Sequence, residues 1–341
     1  MVTISCHNAQ QNPEQSFDER IIAICSPSVR NILQAITPGR MGEIQELRLR
    51  QDRPLGVLLG DRDCFFTPKG ELTSNPSAAY QITKSDIERV FQNISRHSVY
   101  ALEEELRNGY VTVAGGHRIG FTGEAVLVNG RIKNLKNISC INIRISREIK
   151  GCADQVIPWI IDKDLKTVYH TLIISPPKCG KTTLLRDIIR QLSNGIPSLG
   201  FQGVNVGVVD ERSELAACYL GVPQNDIGMR SDVLDKCPKA EGMYMLVRAM
   251  APQVIASDEI GMAQDTSAIQ EVLNAGIKMI TSVHGKDMED IQRRPVLKEI
   301  MTLRLFERLI ILGRSAGAGT LEAVVEGRTD KYLFRRRPKQ E

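Results

Sequence analysis

The sequence of 341 residues lacks the features of membrane-spanning, secreted and strongly basic proteins. No apolar run approaches the roughly 20 residues of a membrane-spanning helix. The polar residues 1–15 lack the basic start and apolar middle of a signal peptide. The net charge of only +4 gives no bulk electrostatic attraction to nucleic acid or membranes. We therefore expect a cytoplasmic globular protein, long enough for two domains.

Cysteine pairs and aromatic residues are also scarce. The eight cysteines never form a C-x-x-C pair, which favours reduced thiols over a zinc site or a disulfide framework. Aromatic residues make up 5% of the chain, and no stripe of Lys and Arg accompanies them. Proteins that hold single strands stack the bases on aromatic side chains. We therefore do not expect nucleic acid to be a partner.

One stretch does indicate a specific chemistry: residues 171–183 have the sequence TLIISPPKCGKTT. An apolar strand leads into a loop, and apolar residues at helical spacing after Lys181 predict a helix that stops near Gly195. This order is typical of a phosphate-binding loop, because backbone N–H groups at the start of the helix converge on one anion. Ser175 stands where the strict pattern G-x-x-x-x-G-K-[ST] has its first glycine.

This loop predicts a site for ATP and Mg²⁺. Lys181 is expected to reach the β- and γ-phosphates, and the Thr182 hydroxyl to ligate Mg²⁺. The alternative is an ordinary strand-to-helix turn with a chance Gly-Lys-Thr. The predicted nucleotide-binding residues are Ser175, Pro176, Pro177, Lys178, Cys179, Gly180, Lys181, Thr182 and Thr183.

Three further apolar segments, 204–209, 254–257 and 278–283, predict strands separated by helices. Such alternation is typical of the α/β class, in which a parallel sheet carries helices on its faces. Each segment ends in polar residues. Because ligands bind at the carboxyl ends of parallel strands, we expect these polar residues beside the loop.

Asp258 and Glu259 follow the second of these segments. Asp258 is predicted to hold the water shell of Mg²⁺, and Glu259 to orient or deprotonate the attacking water. Two acids after a strand also favour the start of the next helix. The phosphate-binding loop upstream favours the functional interpretation.

Three other residues at strand ends are weaker indicators of function. Asp210 and Glu211 are candidate neighbours of the phosphates, but a salt bridge to Arg212 would explain them almost as well. His284 could contact the γ-phosphate or the water, whereas a lone histidine at a strand end is more often satisfied locally.

The first half of the chain has a different pattern. Strand-like alternation dominates, and Ser85 and Glu88 predict a capping box that starts a helix. We therefore expect an α+β domain. The pattern changes at the charged residues 146–151, which predicts two domains, residues 1–151 and residues 152–341.

The motifs also carry a family resemblance. Four segments resemble the Walker A motif, aspartate box, Walker B motif and histidine box of the secretion ATPase superfamily, in that order: SPPKCGKTT, VVDERSE, VIASDEIG and TSVHGKD. Further segments resemble the stage III sporulation AA family over about residues 40–313: EIQELRLR (43–50), YALEEELRNGYVTVAGGHRIGFTGEA (100–125), NISCINIRIS (137–146) and LLRDIIRQLS.

The resemblance implies an ATPase with a RecA-like P-loop core and a smaller preceding domain. It implies a homo-hexameric ring beneath a membrane channel made of other sporulation or secretion proteins, and thus a cytoplasmic protein at the face of a membrane. It makes Glu259 the catalytic acid, Glu211 the aspartate-box acid and His284 the histidine-box residue. The C-x-x-C motif of type II secretion relatives is absent, so their zinc is not carried over.

A P-loop ATPase also needs a cation for the transferring phosphoryl group, and a second subunit can supply it. Arg118, in the glycine-rich turn 115–120, and Arg144, on one face of an alternating strand, are the candidates. Each has an equally good alternative as a solvated residue or as a partner of the acidic residues 103–105.

The motifs are compatible with three functions to different degrees. The favoured one is an ATP-driven motor that energises a membrane-associated export or channel apparatus in sporulation. A ring-shaped nucleic-acid translocase is the alternative, because RecA-like cores serve both. A nucleotide sensor without hydrolysis fits poorly, because Lys181, Thr182, Asp258 and Glu259 are all present.

Overall fold

The computed structural model describes residues 19–37, 42–60, 62–95 and 103–336, apart from the side chains of Glu103, Glu104 and Asn108. These residues belong to two compact units, 19–147 and 148–336. No helix within the described ranges has the length and apolar character needed to cross a membrane. The domain boundary between residues 151 and 152 stays a prediction.

The first unit combines short helices with a sheet. Its elements are α1 (Glu19–Ile24), α2 (Pro27–Gln34), β1 (Ile44–Arg50), β2 (Gly56–Leu59), β3 (Arg62–Phe66), β4 (Leu72–Thr73), α3 (Lys84–Ser95), α4 (Glu103–Asn108), β5 (Tyr110–Val113), β6 (His117–Val128) and β7 (Arg131–Arg144).

The seven strands form one antiparallel sheet in the order β4-β3-β2-β1-β7-β6-β5. Alternate residues of its central strands, Leu47 and Leu49 of β1 and Ile141 and Ile143 of β7, are buried in one core with residues of α1, α2 and α3. Period-two alternation thus points one face of the sheet at the helices. The predicted α+β class of this half is confirmed.

Helix α3 does not begin where the sequence predicted. The backbone N–H of Thr83 donates to Asp86 Oδ2 (2.9 Å), and the N–H of Asp86 donates to Thr83 Oγ1 (3.2 Å). This reciprocal pair is a capping box. The prediction of Ser85 and Glu88 is wrong by two residues. Thr83 and Asp86 fit the same local pattern, and Asp86 also binds the hydroxyl groups of Ser26 and Tyr80, which that pattern does not reveal.

The second unit has the α/β pattern. Its elements are α5 (Ile157–Ile160), β8 (Ile161–Asp162), β9 (Thr167–Val168), β10 (Thr171–Ser175), α6 (Lys181–Asn194), β11 (Gly195–Ile196), β12 (Phe201–Gln202), β13 (Val206–Asp210), β14 (Ser231–Asp235), α7 (Lys239–Ala249), β15 (Val254–Glu259), α8 (Ala263–Asn274), β16 (Lys278–His284), α9 (Met288–Gln292), α10 (Pro295–Thr302), β17 (Arg308–Gly313), β18 (Thr320–Glu326) and β19 (Lys331–Arg335).

Eight of these strands form a sheet in the order β14-β13-β15-β16-β10-β17-β18-β19. The first six run parallel, and β18 and β19 continue the sheet antiparallel. The predicted parallel sheet is confirmed, although β14, β17, β18 and β19 were not predicted. The order places the ends of β13, β15 and β16 along one edge beside the end of β10.

Both faces of this sheet are covered. Ile173, Val208, Ala256, Ile280 and Ile310 share a core with residues of α6, whereas Leu172, Val209, Ile255, Met279 and Ile311 share a core with residues of α7, α8 and α10. Strands that are buried on both faces read as continuous apolar runs. This explains why the sequence identified them as strands of a parallel sheet.

Candidate nucleotide-binding site

The phosphate-binding loop follows a fully buried strand. All five residues of β10 are buried, because β16 and β17 flank it and helices cover both faces of the sheet. The chain then turns through Lys178 (φ 58°) and Gly180 (φ 76°), and Gly180 is the N-cap of α6. A positive φ at this position favours glycine. The loop therefore delivers the N-terminus of α6, with Lys181 and Thr182 in its first turn, to the carboxyl edge of the sheet.

Ser175 occupies the place of the first motif glycine without backbone strain. Among the described non-glycine residues with positive φ, Ser175 is not found. The residue is fully buried, and its hydroxyl donates to the Pro176 carbonyl oxygen (3.0 Å). The backbone at this position does not need glycine. The serine is thus compatible with the shape of the loop.

Glu259 meets two basic side chains from neighbouring elements. Its Oε2 lies 3.4 Å from Lys181 Nζ and 3.1 Å from His284 Nε2. The other ring nitrogen of His284 lies 3.4 Å from the Ser175 carbonyl oxygen. Burial lowers the pKa of Lys181, and the charge of Glu259 opposes this shift. The predicted catalytic acid, loop lysine and histidine therefore come together.

Asp258 has a different environment from Glu259. Its carboxylate Oδ1 is buried and has no hydrogen-bond partner among the described residues, although Lys239 Nζ lies 3.6 Å away. Burial raises the pKa of Asp258 to about 6, and the charge of Lys239 opposes this rise. A buried carboxylate oxygen without a donor fits a hydrated cation.

Lys239, which the sequence analysis did not single out, lies at the start of α7. Its ammonium group pairs with Glu211 as well as with Asp258. Burial alone would lower the pKa of Lys239, but these two acids outweigh it and raise the pKa. Glu211 therefore has a partner other than the Arg212 considered from the sequence. Lys239 follows a strand end, but its contact with Glu211 depends on the fold.

Asp210 organises the loop that follows β13. Its fully buried carboxylate accepts hydrogen bonds from the backbone N–H groups of Glu214 (2.8 Å), Leu215 (3.0 Å) and Ala216 (2.8 Å). Burial raises the pKa of Asp210, and these hydrogen bonds oppose the rise. Asp210 thus shapes a loop beside the site.

Arg314 is a second residue that the sequence analysis missed. It follows β17, and its guanidinium donates to Cys179 Sγ (3.1 Å) and to the carbonyl oxygens of Lys178 (2.9 Å) and Pro177 (3.3 Å). These contacts hold the outer backbone of the loop. A basic residue directly after the strand beside β10 is the signal that could have identified it.

These elements surround a cleft of about 280 Å³. Its lining residues are Lys178, Gly180, Lys181, Thr182, Thr183, Leu185, Arg212, Glu214, Leu215, Asp258, Glu259, Ser282 and His284. The described residues contain no group of three or more His, Cys, Asp or Glu side chains that could hold a metal by themselves. Mg²⁺ commonly binds through one or two protein oxygens together with substrate phosphates and water. Thr182 and Asp258 fit that requirement.

Arg118 and Arg144 lie in the first unit, as cross-strand neighbours on β6 and β7. Arg144 Nε lies 3.3 Å from Glu46 Oε1, and the Arg118 guanidinium lies 4.3 Å from the centre of the Tyr110 ring. Arg144 thus has an acidic partner outside residues 103–105. The proposed role of both arginines at a subunit interface stays a prediction.

The parallel sheet, the loop after an interior strand and the acid pair after a neighbouring strand define a RecA-like P-loop NTPase core. The fold is similar to that of the ATPase DotB from Legionella pneumophila, with 16% identity, 79% of this chain and 72% of that chain covered, and a TM-score of 0.51. DotB from Yersinia pseudotuberculosis gives 12% identity, 84% and 76% coverage, and a TM-score of 0.52. These similarities concern the fold.

The chain belongs to the family Sporulation stage III, protein AA, whose model matches residues 15–332. The chain is 40% identical over 306 residues to Stage III sporulation protein AA from Bacillus subtilis (strain 168), which covers 90% of this chain and 94% of that relative. The family resemblance predicted from the motifs is confirmed.

Proposed function

We propose that the protein is an ATP-hydrolysing motor that energises a membrane-associated export or channel apparatus in sporulation. The observation that carries this proposal is the convergence of Lys181, Glu259 and His284 in one cleft, beside a buried Asp258 oxygen without a donor. The family and the 40% identical relative support the place in sporulation.

The loop and the start of α6 bind the nucleotide. Backbone N–H groups at the helix N-terminus contact the phosphates, where the helix dipole also favours negative charge. Lys181 provides a cation for the β- and γ-phosphates. The Thr182 hydroxyl and water bound to Asp258 would hold Mg²⁺, which would supply positive charge against the phosphates.

Glu259 orients the attacking water and accepts its proton. The carboxylate is half-exposed to the cleft, so a water molecule has access to it. His284 connects Glu259 to the carbonyl oxygen of Ser175, the last residue before the loop. A shift of the loop on nucleotide binding would therefore be transmitted through His284 to Glu259.

Lys181→Ala tests the nucleotide site. We expect this variant to lose ATP binding and turnover, because the substitution removes the loop cation. Lys163→Ala, at an exposed position between β8 and β9, is the matched control and keeps both. Equilibrium binding of a fluorescent ATP analogue and phosphate release measure the two effects. ATP binding by the Lys181 variant with wild-type affinity contradicts the assignment.

The energising role requires a membrane partner. We expect capture of the full chain from membranes of sporulating cells to recover one membrane protein in an ATP-dependent manner. The Lys181→Ala variant should lose that dependence. Absence of any membrane partner contradicts the role as a motor for an export apparatus, even if ATP hydrolysis is intact.

We propose further that the protein works as a homo-hexameric ring in which Arg118 or Arg144 acts on the neighbouring subunit's nucleotide. Turnover per subunit should then rise with protein concentration as rings assemble. Lys181→Ala subunits mixed with Arg118→Ala or Arg144→Ala subunits should recover part of the lost activity. A fully active monomer, or no recovery after confirmed co-assembly, contradicts this proposal.

A further inference from the structure

Arg212 is a basic residue of the cleft to which the assignments above give no catalytic role. It follows Asp210 and Glu211 after β13 and lines the cleft together with Lys181, Asp258 and Glu259. From the sequence, Arg212 was expected only as a possible salt-bridge partner of Asp210 and Glu211. Arg212 thus borders the same cleft as the phosphate-binding loop and the acid pair.

The loop that carries Arg212 is held from two sides. Asp210 accepts hydrogen bonds from three consecutive backbone N–H groups, residues 214–216. Arg186 of α6 donates to the carbonyl oxygens of Glu214 and Leu215, both at 2.6 Å. The loop is therefore fixed to the sheet through Asp210 and to the helix of the phosphate-binding loop through Arg186. Such support from surrounding residues is what a preorganised site requires.

The backbone beside Arg212 has an uncommon conformation. Ser213 has a φ of 54° and is almost fully buried. A non-glycine residue in this region is energetically unfavourable and persists only where neighbouring contacts determine the conformation. The hydrogen bonds of Asp210 and Arg186 supply those contacts.

The other basic residues near the acids have different tasks. Lys181 belongs to the phosphate-binding loop and contacts Glu259. Lys239 is 10% exposed, pairs with Glu211 and Asp258, and is not among the residues that line the cleft. Arg212 is exposed, and its charge lowers the pKa of Asp258 against the effect of burial. Arg212 therefore combines exposure to the cleft with proximity to the acid pair.

We propose that Arg212 is a catalytic residue that acts in cis, with its guanidinium on the γ-phosphate oxygens. The proposal rests on the ATP hydrolysis proposed above. In that reaction the water oxygen bonds to the γ-phosphorus, and Glu259 accepts a water proton. The bond from the γ-phosphorus to the bridging oxygen breaks, and its electron pair leaves with ADP. Arg212 stabilises the negative charge on the transferring group and the bridging oxygen.

The planar guanidinium matters for this role. Its parallel N–H groups can bind two phosphate oxygens at once, whereas a lysine ammonium acts as a single point charge. Arg212→Lys should therefore restore only a small part of the activity that Arg212→Ala loses. An arginine in cis acts within one subunit, so its effect on turnover should be the same at every protein concentration.

The test compares wild type, Arg212→Ala and Arg212→Lys in the full chain. ATP turnover is measured together with binding of ADP alone and of ADP with aluminium fluoride, a mimic of the transferring phosphoryl group. We expect Arg212→Ala to lower kcat by about 10³-fold, to bind ADP within threefold of wild type, and to lose the additional affinity that aluminium fluoride gives. Arg248→Ala, at an exposed position of α7, is the control and changes none of these values.

The binding measurements separate the possible outcomes. ADP binding by Arg212→Ala shows that the variant is folded. Retention of wild-type kcat or of the aluminium fluoride complex by Arg212→Ala overturns the proposal and leaves the proposed ATPase intact. A loss of ADP affinity equal to the loss of kcat/KM also overturns it, because Arg212 would then act in ground-state binding. Absence of hydrolysis in the wild type overturns the proposed function itself.

Discussion

Asp86 in the first unit and Asp258 in the second have carboxyl groups with opposite surroundings. Asp86 in the first unit is 4% exposed and accepts hydrogen bonds from Ser26 Oγ (2.6 Å), Tyr80 Oη (2.9 Å) and both the N–H and the hydroxyl of Thr83 (2.9 and 2.7 Å). Burial alone would raise the pKa of Asp86, but these hydrogen bonds outweigh it and lower the pKa.

Asp258 in the second unit has a 13% exposed side chain and one carboxylate oxygen without a donor among the described residues. Its pKa is raised to about 6 by burial. The difference separates two uses of a buried acid. A carboxylate whose donors come from the protein stabilises the fold, whereas one that lacks donors costs stability and is available to a ligand.

The largest expected effect is on turnover. Asp258→Ala should lower ATP turnover by about 10³-fold, because it removes the acid that holds the water shell of Mg²⁺. Asp86→Asn should leave turnover per folded molecule within twofold. Steady-state phosphate release, normalised to the folded fraction, measures both. Equal losses in the two variants contradict the division between a site acid and a fold acid.

A smaller effect is expected on stability, and here the substitution of Asp86, not of Asp258, should be the damaging one. Asp86→Ala should destabilise the protein by about 3 kcal/mol, because it removes several hydrogen bonds to a buried carboxylate and leaves their donors unpaired. Urea unfolding followed by far-ultraviolet circular dichroism measures the change. Glu88→Ala, at an exposed position of α3, is the control and should cost less than about 0.5 kcal/mol.

The pH dependence of stability sharpens the same comparison. The folded-state pKa of Asp258 is raised, so the contribution of Asp258 to the free energy of unfolding should fall as pH rises through 6. Without Mg²⁺, Asp258→Asn should be more stable than wild type by about 2 kcal/mol at pH 8, and the difference should close as pH falls towards 4. Trp159, the single tryptophan, lies in the second unit and reports this by fluorescence.

The stability contribution of Asp86 should depend on pH with the opposite sign. Its folded-state pKa is lowered, so its contribution is present above the ordinary aspartate pKa and is lost as pH falls through the folded value. The comparison is contradicted if Asp258→Asn is less stable than wild type at pH 8 and the deficit does not change with pH.

The smallest effect is expected at the surface ion pair of the first unit. The Arg144 side chain is 59% exposed and pairs with Glu46. Exposed pairs contribute little, so Arg144→Ala should change the free energy of unfolding by less than about 0.5 kcal/mol. Urea unfolding measures it, with Arg131→Ala on the same strand as the exposed control. A loss above about 2 kcal/mol would show that Arg144 supports the fold.

The sequence predicted the parts of the molecule that depend on residues close to one another in the chain. The strand, loop and helix around Lys181 have local signals, and so do the apolar strands that end before Asp210, Asp258 and His284. The fold class follows from the same alternation of elements, because a parallel sheet needs apolar strands and covering helices.

Contacts between distant residues were not predictable. Ser26 and Asp86 are 60 positions apart, and Cys179 and Arg314 are 135 apart. The pairing of Lys239 with Glu211 likewise exists only once α7 packs beside β13. The capping box was placed wrongly because Thr83 and Asp86 fit the local pattern as well as Ser85 and Glu88 do, and Asp86 also binds hydroxyl groups brought in by the fold.

Phosphate release from ATP by Glu259→Gln, measured beside its ATP affinity, tests most directly whether Glu259 is the catalytic base. Glu271→Gln, an exposed glutamate of α8, is the matched control. Because glutamine keeps the shape of the side chain but cannot accept the water proton, we predict ATP binding close to that of wild type and turnover lower by about 10³-fold. Turnover by Glu259→Gln at the wild-type rate would contradict this role of Glu259 and would make Glu211 the candidate base.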